Sequence, residues 1–490
     1  MDAIAREPIG KGEFRRVFGA GLVGALLLFG VMSWYSAVWV DELCYTDPAV
    51  NLSAGRGLIS SVWPRQPADR FFASNTPLHP WLLAGGFKVF GVHRAVMQAM
   101  NVLWLVLACW IFWLASGRLG LVRTAGGRFA FFLIALLSSG SYYAVGSGRQ
   151  DAIGILICAV TTLVASIQRR GIRLLALGVC GAVMPWAGLQ IAAYAAVVSV
   201  LLLVVLRGRN WRSVVALALG VLAGWAGLKG LYAAQGVSDL FAGQATAQGH
   251  FSGWRSLADW NVHWGGGMLD PSLLGLLLVA VVLGLAAARH SWRSHAAKRS
   301  FLGVVSVGWI SVAMLQLGRF PLYYAWMAIL PVAACVCAAA ESLANRRQSR
   351  VVLVAVTVLS LAWLPVWIAL ASSMAPRRNL AAVEALVSQV VKPGDVAVGD
   401  FASYYALLPR AKRFYSEAYV TSPALSEAER RSITVVVVRP LFAPAVLRAL
   451  GGEWELQSLS LGSPHDPPLP LNCWDYQLQV WRPRLGGSAP

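Results

Sequence analysis

Charge is scarce in this chain. Charged residues make up 13% of its 490 positions, and only 22 are acidic, about half the usual share in soluble domains. With 57% hydrophobic residues and a mean hydropathy of +0.61, a single water-soluble globule is excluded. Cysteine is also sparse. Of seven, Cys109, Cys158, Cys180, Cys335 and Cys337 lie in apolar runs. Only Cys44 and Cys473 lie outside them, so at most one disulfide is expected and a disulfide-built scaffold is excluded. No fixed-period repeat is present, which excludes solenoids and arrays. What is abundant is Lys and Arg, 41 in all for a net charge of +19. In a soluble chain that excess would suggest a nucleic-acid surface. Here long apolar runs separated by basic loops account for it, because cytoplasmic loops of membrane proteins concentrate Lys and Arg.

The basic residues fall into six tight groups: Lys11, Arg15 and Arg16; Arg118, Arg123 and Arg128; Arg169, Arg170 and Arg173; Arg207, Arg209 and Arg212; Arg289, Arg293, Lys298 and Arg299; Arg346, Arg347 and Arg350. These hold 19 of the 41 basic residues, and the other 22 match the acidic residues in number. If all six groups are cytoplasmic, each stretch between neighbours must cross the membrane an even number of times. Val17 to Val40 then forms helix 1. It exceeds the ~7–15 residue apolar centre of a signal peptide, and Trp34, Tyr35 and Trp39 resemble an interfacial belt more than a cleavage site. Helix 2 spans about Arg94 to Gly117, and helices 3 and 4 lie within Phe129 to Ile167 with Gly148-Arg149-Gln150-Asp151 at the outer tip. An unbroken helix from Ile172 to Leu206 would run roughly 52 Å, too long for one crossing. Pro185 and Trp186 therefore mark a reversal between helices 5 and 6. Helix 7 covers about Ser213 to Ala233 and helix 8 about Ser272 to Ala288. Helices 9 and 10 split Phe301 to Leu343 at Arg319-Phe320-Pro321, and helix 11 runs from Val351 to Ala371.

The expected fold is therefore an all-α polytopic membrane protein of about eleven helices in the plasma (inner) membrane, with a cytoplasmic N-terminus. Residues 1–371 form the transmembrane domain, with a first outer loop at 41–93 and a second at 234–271. Residues 372–490 carry alternating helix-like and strand-like stretches, read as a small extracytoplasmic α/β domain. These stretches include Arg378 to Val391, Asp395 to Asp400, Ile433 to Arg439 and Tyr476 to Trp481.

Nine acidic residues lie between positions 14 and 371, and eight of them fall on the outer side: Asp41, Glu42, Asp47, Asp69, Asp151, Asp239, Asp259 and Asp270. Asp41 and Glu42 stand at the outer end of helix 1, and Asp151 at that of helix 4. Carboxylates at membrane boundaries are costly unless hydrated or paired, which makes them site candidates. Helix capping is the plainer account of the same positions. Arg149 lies two residues before Asp151, and Arg319 at another outer turn. Carboxylates mixed with guanidinium groups suit a phosphate-bearing substrate that also needs a base. A snorkelling or Asp-paired role fits Arg149 too, and an interfacial anchor fits Arg319.

Asp41-Glu42, then Tyr45, then Ala54-Gly55-Arg56-Gly57-Leu58, then Asn75-Thr76-Pro77-Leu78-His79-Pro80-Trp81 running into Phe87-Lys88-Val89-Phe90-Gly91, is an order that resembles the GT-C glycosyltransferases. The likeness is to the branch with protein O-mannosyltransferases and the lipid A aminoarabinose transferase. Arg149-x-Asp151 looks like that family's Arg-Pro-Asp element, and Arg319 to Pro331, with Tyr323 and Tyr324, like its Arg...Tyr...Pro segment. The resemblance covers about residues 15 to 370. It implies transfer of a sugar, with inversion, from a polyprenyl-phosphate donor to a lipid, glycan or protein acceptor at the outer face. Asp41 takes the place of the catalytic carboxylate, Glu42 its neighbour and Asp151 the second acidic position. Arg149, Arg319 and His79 become candidates for the donor phosphate, and Tyr45, Asn75, Tyr323 and Tyr324 for substrate binding. Two departures stand out: Cys44 where aminoarabinose transferases carry Arg, and Asn75 where they carry Lys.

The chemistry is coherent by itself. A lipid phosphate stabilised by cations leaves without a general acid, unlike the two-carboxylate scheme of glycoside hydrolysis. One base for the acceptor hydroxyl suffices, so no cofactor is required; a divalent metal is left open. His79, His250 and His263 show no tight zinc-type spacing. Asn75 to Trp81 also fits an interfacial loop leading into a helix along the membrane. The rival classes are a transporter or flippase of lipid-linked sugars and a non-catalytic envelope scaffold; within the enzyme reading, an oligosaccharide ligase or polymerase remains. Against transport, neither an inverted repeat nor a matched pair of broken helices is seen.

Overall fold

The computed structural model describes residues 8–35, 38, 40–200, 211–248, 270–290, 322–343, 345–462 and 475–484. The chain forms two compact units. The first comprises Met1–Gly30, Ala99–Ala234 and Ala245–Trp367, and the second Val31–Gln98, Gln235–Gln244 and Ile368–Pro490. The second unit draws in the first outer loop.

In chain order the helices are α1 (Lys11–Tyr35), α2 (Val40–Ser53), α3 (Leu78–Phe90), α4 (Arg94–Leu119), α5 (Ala125–Leu137), α6 (Ser139–Gly146), α7 (Asp151–Val164), α8 (Arg170–Ala187), α9 (Leu189–Ala192), α10 (Tyr194–Val200), α11 (Trp211–Ala234) and α12 (Ser238–Gln248). Pro271–His290, Trp326–Glu341, Arg346–Leu361 and Trp363–Met374 follow. Among the described residues four helical stretches are long and apolar enough to cross a membrane: Lys11–Ser33, Arg94–Leu119, Trp211–Ala234 and the run within Arg346–Val390. The α5–α6 pair, bent by 41°, makes a fifth candidate. Leu22, Val23 and Leu26 of α1, Leu219 and Leu222 of α11, and Val351, Val354 and Val358 are all exposed. Such apolar faces are stable in lipid and costly in water, and the protein is an integral membrane protein.

Two expectations are corrected. Helix 1 ends at Tyr35, so Asp41 and Glu42 stand in the first turn of the separate helix α2 and not at the outer end of helix 1. The helix through Pro185 also continues to Ala187, with its break at Gly188 and not at Pro185-Trp186. Expected helix 9, Cys473 and the basic residues between 201 and 210 and between 291 and 300 lie outside the described residues.

Within the first unit, buried polar contacts join the basic loops. Trp113 Nε1 and Arg128 Nε donate to Glu13 Oε1 at 3.0 and 2.7 Å. The backbone N–H groups of Arg123 and Thr124 donate to the Glu341 carboxylate, each at 2.8 Å. Helices α8 and α11 meet backbone to backbone, because Gly178, Gly181, Gly220 and Gly224 leave no side chain between them. A Cβ on Gly224 would fall 2.1 Å from the Ala182 carbonyl oxygen.

In the second unit a five-stranded sheet is ordered β2 (Arg413–Ser416), β1 (Val396–Gly399), β3 (Val435–Val438), β5 (Gln479–Pro483) and β4 (Trp454–Leu456). The first three are mutually parallel, and β5 pairs antiparallel with both β3 and β4. The four consecutive valines of β3 are all buried, as expected of a central strand covered on both faces. Val435 and Val437 face one core with Leu43, Tyr45, Trp63 and Phe72 of the first outer loop. Val436 and Val438 face the other with Tyr415 and Tyr419. Backbone ties complete the union: Ser416 N donates to Ser61 O at 3.2 Å, and Val38 N to the Tyr476 hydroxyl at 3.0 Å. Just past β1, buried Asp400 receives both Arg439 N and Nε at 3.0 Å.

Candidate active-site residues

Helix α2 carries most of the acidic candidates. Its first turn holds Asp41 and Glu42, where unsatisfied N–H groups favour negative charge. Pro48 sits inside it and has no N–H to give to the Cys44 carbonyl four residues back. Trp63 Nε1 fills that gap at 2.8 Å, which pins the helix to the outer loop. Asp41 is half-buried. Glu42 is fully buried and held by Arg94, with Nε to Oε1 at 2.9 Å and Nη2 to Oε2 at 3.1 Å. The phenol of Tyr405, from the tail, lies against the same carboxylate.

One turn on, Asp47 accepts from Ser60 Oγ at 2.8 Å and Ser61 N at 2.9 Å. Burial pushes its carboxyl up to about 6. Tyr404 stands beside it. Tyr45 accepts a hydrogen bond from Asn75 Nδ2, and its ring meets that of His79 edge-on at 6.2 Å. His79 is fully buried, a setting that braces Tyr45 more readily than it receives a phosphate. Cys44 is buried in the shared core, so the position at which the resembled transferases carry Arg supplies no charge here.

In the first unit, Gly148 adopts φ +67 between α6 and α7, a conformation that glycine takes without strain. The turn presents Arg149 and Asp151 together. Arg149 Nε donates to Asp151 Oδ2 at 3.0 Å and Nη2 to the Tyr324 hydroxyl at 2.8 Å. Its guanidinium carbon lies 4.0 Å from the centre of the Tyr323 ring. Arg149 and Asp151 are both buried. A planar, delocalised cation suits this combination of fork and stack.

Of the sequence-derived candidates, Asp41, Glu42, Tyr45, Asn75 and His79 thus share the second unit, while Arg149, Asp151, Tyr323 and Tyr324 come together in the first. Arg319, His250 and His263 lie outside the described residues. Among the described residues no three His, Cys, Asp or Glu side chains gather as metal ligands. Sequence reasoning does not single out Arg94, Asp47, Tyr404 or Tyr405 as site residues. Arg94 carries a usable signal all the same: an arginine that opens an apolar run and stands outside the six basic groups calls for a partner.

No family model matches the sequence, and no curated protein matches it. Solved structures do. ArnT from Cupriavidus metallidurans in the apo state aligns with TM-score 0.60 and 14% identity, over 96% of this chain and 97% of that one. The chain has the fold of ArnT. The structure of the same enzyme bound to undecaprenyl phosphate aligns with TM-score 0.57 and 14% identity, over 98% of this chain and 100% of that one. At 14% identity the likeness is one of fold. An oligosaccharyltransferase from Archaeoglobus fulgidus, tethered to an acceptor peptide, gives TM-score 0.48 at 10% identity, over 92% of this chain and 74% of that one.

Proposed function

We propose that this protein is a membrane glycosyltransferase that moves a sugar from a polyprenyl-phosphate donor to an acceptor hydroxyl at the outer face, with inversion. The observation that carries the reading is the ArnT fold along 98% of the chain, in a structure that holds undecaprenyl phosphate. Asp41 takes the acceptor proton as the oxygen attacks the anomeric carbon. The bond from that carbon to the phosphate oxygen breaks, and polyprenyl phosphate departs with the electron pair. Attack opposite the leaving group inverts the centre. Arg149 and Arg319 stabilise the departing phosphate, and Asp151, Tyr323 and Tyr324 hold Arg149 in place for it. Asn75 contacts substrate, Tyr45 orients Asn75 through their hydrogen bond, and His79 fixes Tyr45. Glu42 neutralises Arg94 and keeps α2 in position. The acceptor is a lipid, glycan or protein, the topology is that of eleven helices in the inner membrane, and the N-terminus is cytoplasmic.

The test is release of polyprenyl phosphate from a labelled lipid-linked sugar by purified protein supplied with envelope acceptors. Asp41→Asn abolishes release while leaving elution and unfolding temperature unchanged. An intact donor bond in the presence of transbilayer movement would identify a flippase instead. Envelope glycans unaltered by Asp41→Asn, as judged by mass spectrometry, would identify a scaffold.

A further inference from the structure

At the basic end of the first unit, α1 and α4 leave an apolar cavity of about 140 Å³ between them, lined by Phe14, Val17, Phe18, Trp110, Trp113 and Leu114. Its rings form a continuous track. Phe14 meets Phe18 with centroids 6.3 Å apart, Phe18 stacks on Trp110 at 5.2 Å, and Phe14 meets Trp113 at 6.3 Å. Phe14 and Phe18 remain 56% and 47% exposed. The two helix ends coincide here, since Gly117 of α4 lies beside the Ile9 side chain just before α1.

Among the described residues, the exposed charge around the mouth has one sign. Lys11 stands three residues before Phe14 and seven before Phe18, on the face that lines the cavity, and Arg118 follows Leu114 by four. Lys11, Arg15 and Arg118 are exposed. The described carboxylates nearby are withdrawn from the surface: Glu13 is buried against Arg128 and Trp113, and Glu341 against the backbone of Arg123 and Thr124. An aromatic track that ends in exposed cations matches one kind of molecule, an amphiphile with an apolar chain and an anionic head.

We infer that this cavity is a binding site for an anionic phospholipid, with an acyl chain along Phe14, Phe18 and Trp110 and the phosphate between Lys11 and Arg118. The site is separate from the residues assigned to sugar transfer and does not depend on that reading.

The purified full-length protein is equilibrated with equal amounts of phosphatidylglycerol and phosphatidylcholine of the same acyl chains, and retained lipid is counted by native mass spectrometry. Phosphatidylglycerol is retained preferentially. Lys11→Gln and Arg118→Gln each lower the preference about fivefold. Trp110→Ala lowers total retention, and Arg350→Gln, at an exposed cation that does not line the cavity, changes nothing. Lys11, Arg118 and Arg350 are exposed, and the unfolding temperature of each charge variant is measured alongside, so that a loss of preference is scored only in folded protein. Equal retention of the two lipids would overturn the assignment. So would a loss of preference in Arg350→Gln as large as that in Arg118→Gln, which would mean diffuse surface charge and no site.

Discussion

Glu42 and Arg94 hold each other through two hydrogen bonds, with the carboxylate 0% and the guanidinium 8% exposed. The pair joins the first turn of α2 to the first residue of α4, and it leaves two neighbouring carboxylates in different surroundings. Asp41 stays half-buried, whereas Glu42 is already neutralised. Removing one partner of a buried pair strands the other, at about 3–5 kcal/mol, while replacing both with apolar groups is close to neutral. Arg94→Met alone should therefore lower the unfolding temperature steeply, and Glu42→Leu with Arg94→Met should restore most of it. If Glu42 only positions α2, the double variant also regains turnover. A double variant that folds but remains inactive would show that Glu42 acts on substrate.

Asp47 gives a pH signature. Burial raises its carboxyl from 3.8 to about 6, so between those values the folded protein binds more protons than the unfolded chain. Stability from this group is complete below about pH 4 and is lost as pH rises through about 6. Asp47→Asn removes the titration. The difference in unfolding temperature between Asp47→Asn and the parent should thus move in favour of the variant across that window, and flatten above it. A constant difference from pH 4 to 8 would mean that the Ser60 and Ser61 hydrogen bonds outweigh the burial.

Arg149 is expected to tolerate no substitution, including lysine. A lysine cannot place one nitrogen on Asp151 and another on the Tyr324 hydroxyl while stacking over Tyr323. Arg149→Lys should lose at least about tenfold in transfer, equivalent to about 1.4 kcal/mol, measured as donor turnover by the purified protein. Tyr324→Phe removes one charge-assisted hydrogen bond and should cost less. If Arg149→Lys retained full turnover, a point charge would suffice and the fork would be structural only.

How far these arrangements can be read in the sequence depends on chain separation. Arg149, Gln150 and Asp151 are adjacent, so an Arg–Asp pair at a helix start is visible directly. The Tyr323-Tyr324 pair enters through the family resemblance and lies in the structure against that same arginine. The apolar runs of α4 and α11 fall within two residues of their expected bounds, since hydrophobic length is a local property. Glu42 with Arg94 is not legible, because the partners lie 52 residues apart on two different helices and no local pattern couples them. Nor is the shared core of tail and first loop. Val435 to Val438 reads as a buried strand, but the identity of the covering residues, Leu43 and Trp63 among them, is set by sheet order and not by pattern.

The contact between α8 and α11 supplies a test of the fold that is independent of function. Gly220 and Gly224 are four apart and face the backbone of Gly178 and Ala182, the close approach that small residues permit between membrane helices. A side chain at Gly224 would meet a carbonyl oxygen at 2.1 Å, and backbone cannot yield as a flexible side chain can. Gly224→Leu should force the helices apart, at about 1–3 kcal/mol or more, and lower both the unfolding temperature and the yield of monodisperse protein. Gly230→Leu, on the same helix with nothing within 4 Å of the place a Cβ would take, should leave both unchanged. Equal behaviour of the two variants in detergent and in lipid would show that the helices are held together by something other than this close backbone contact.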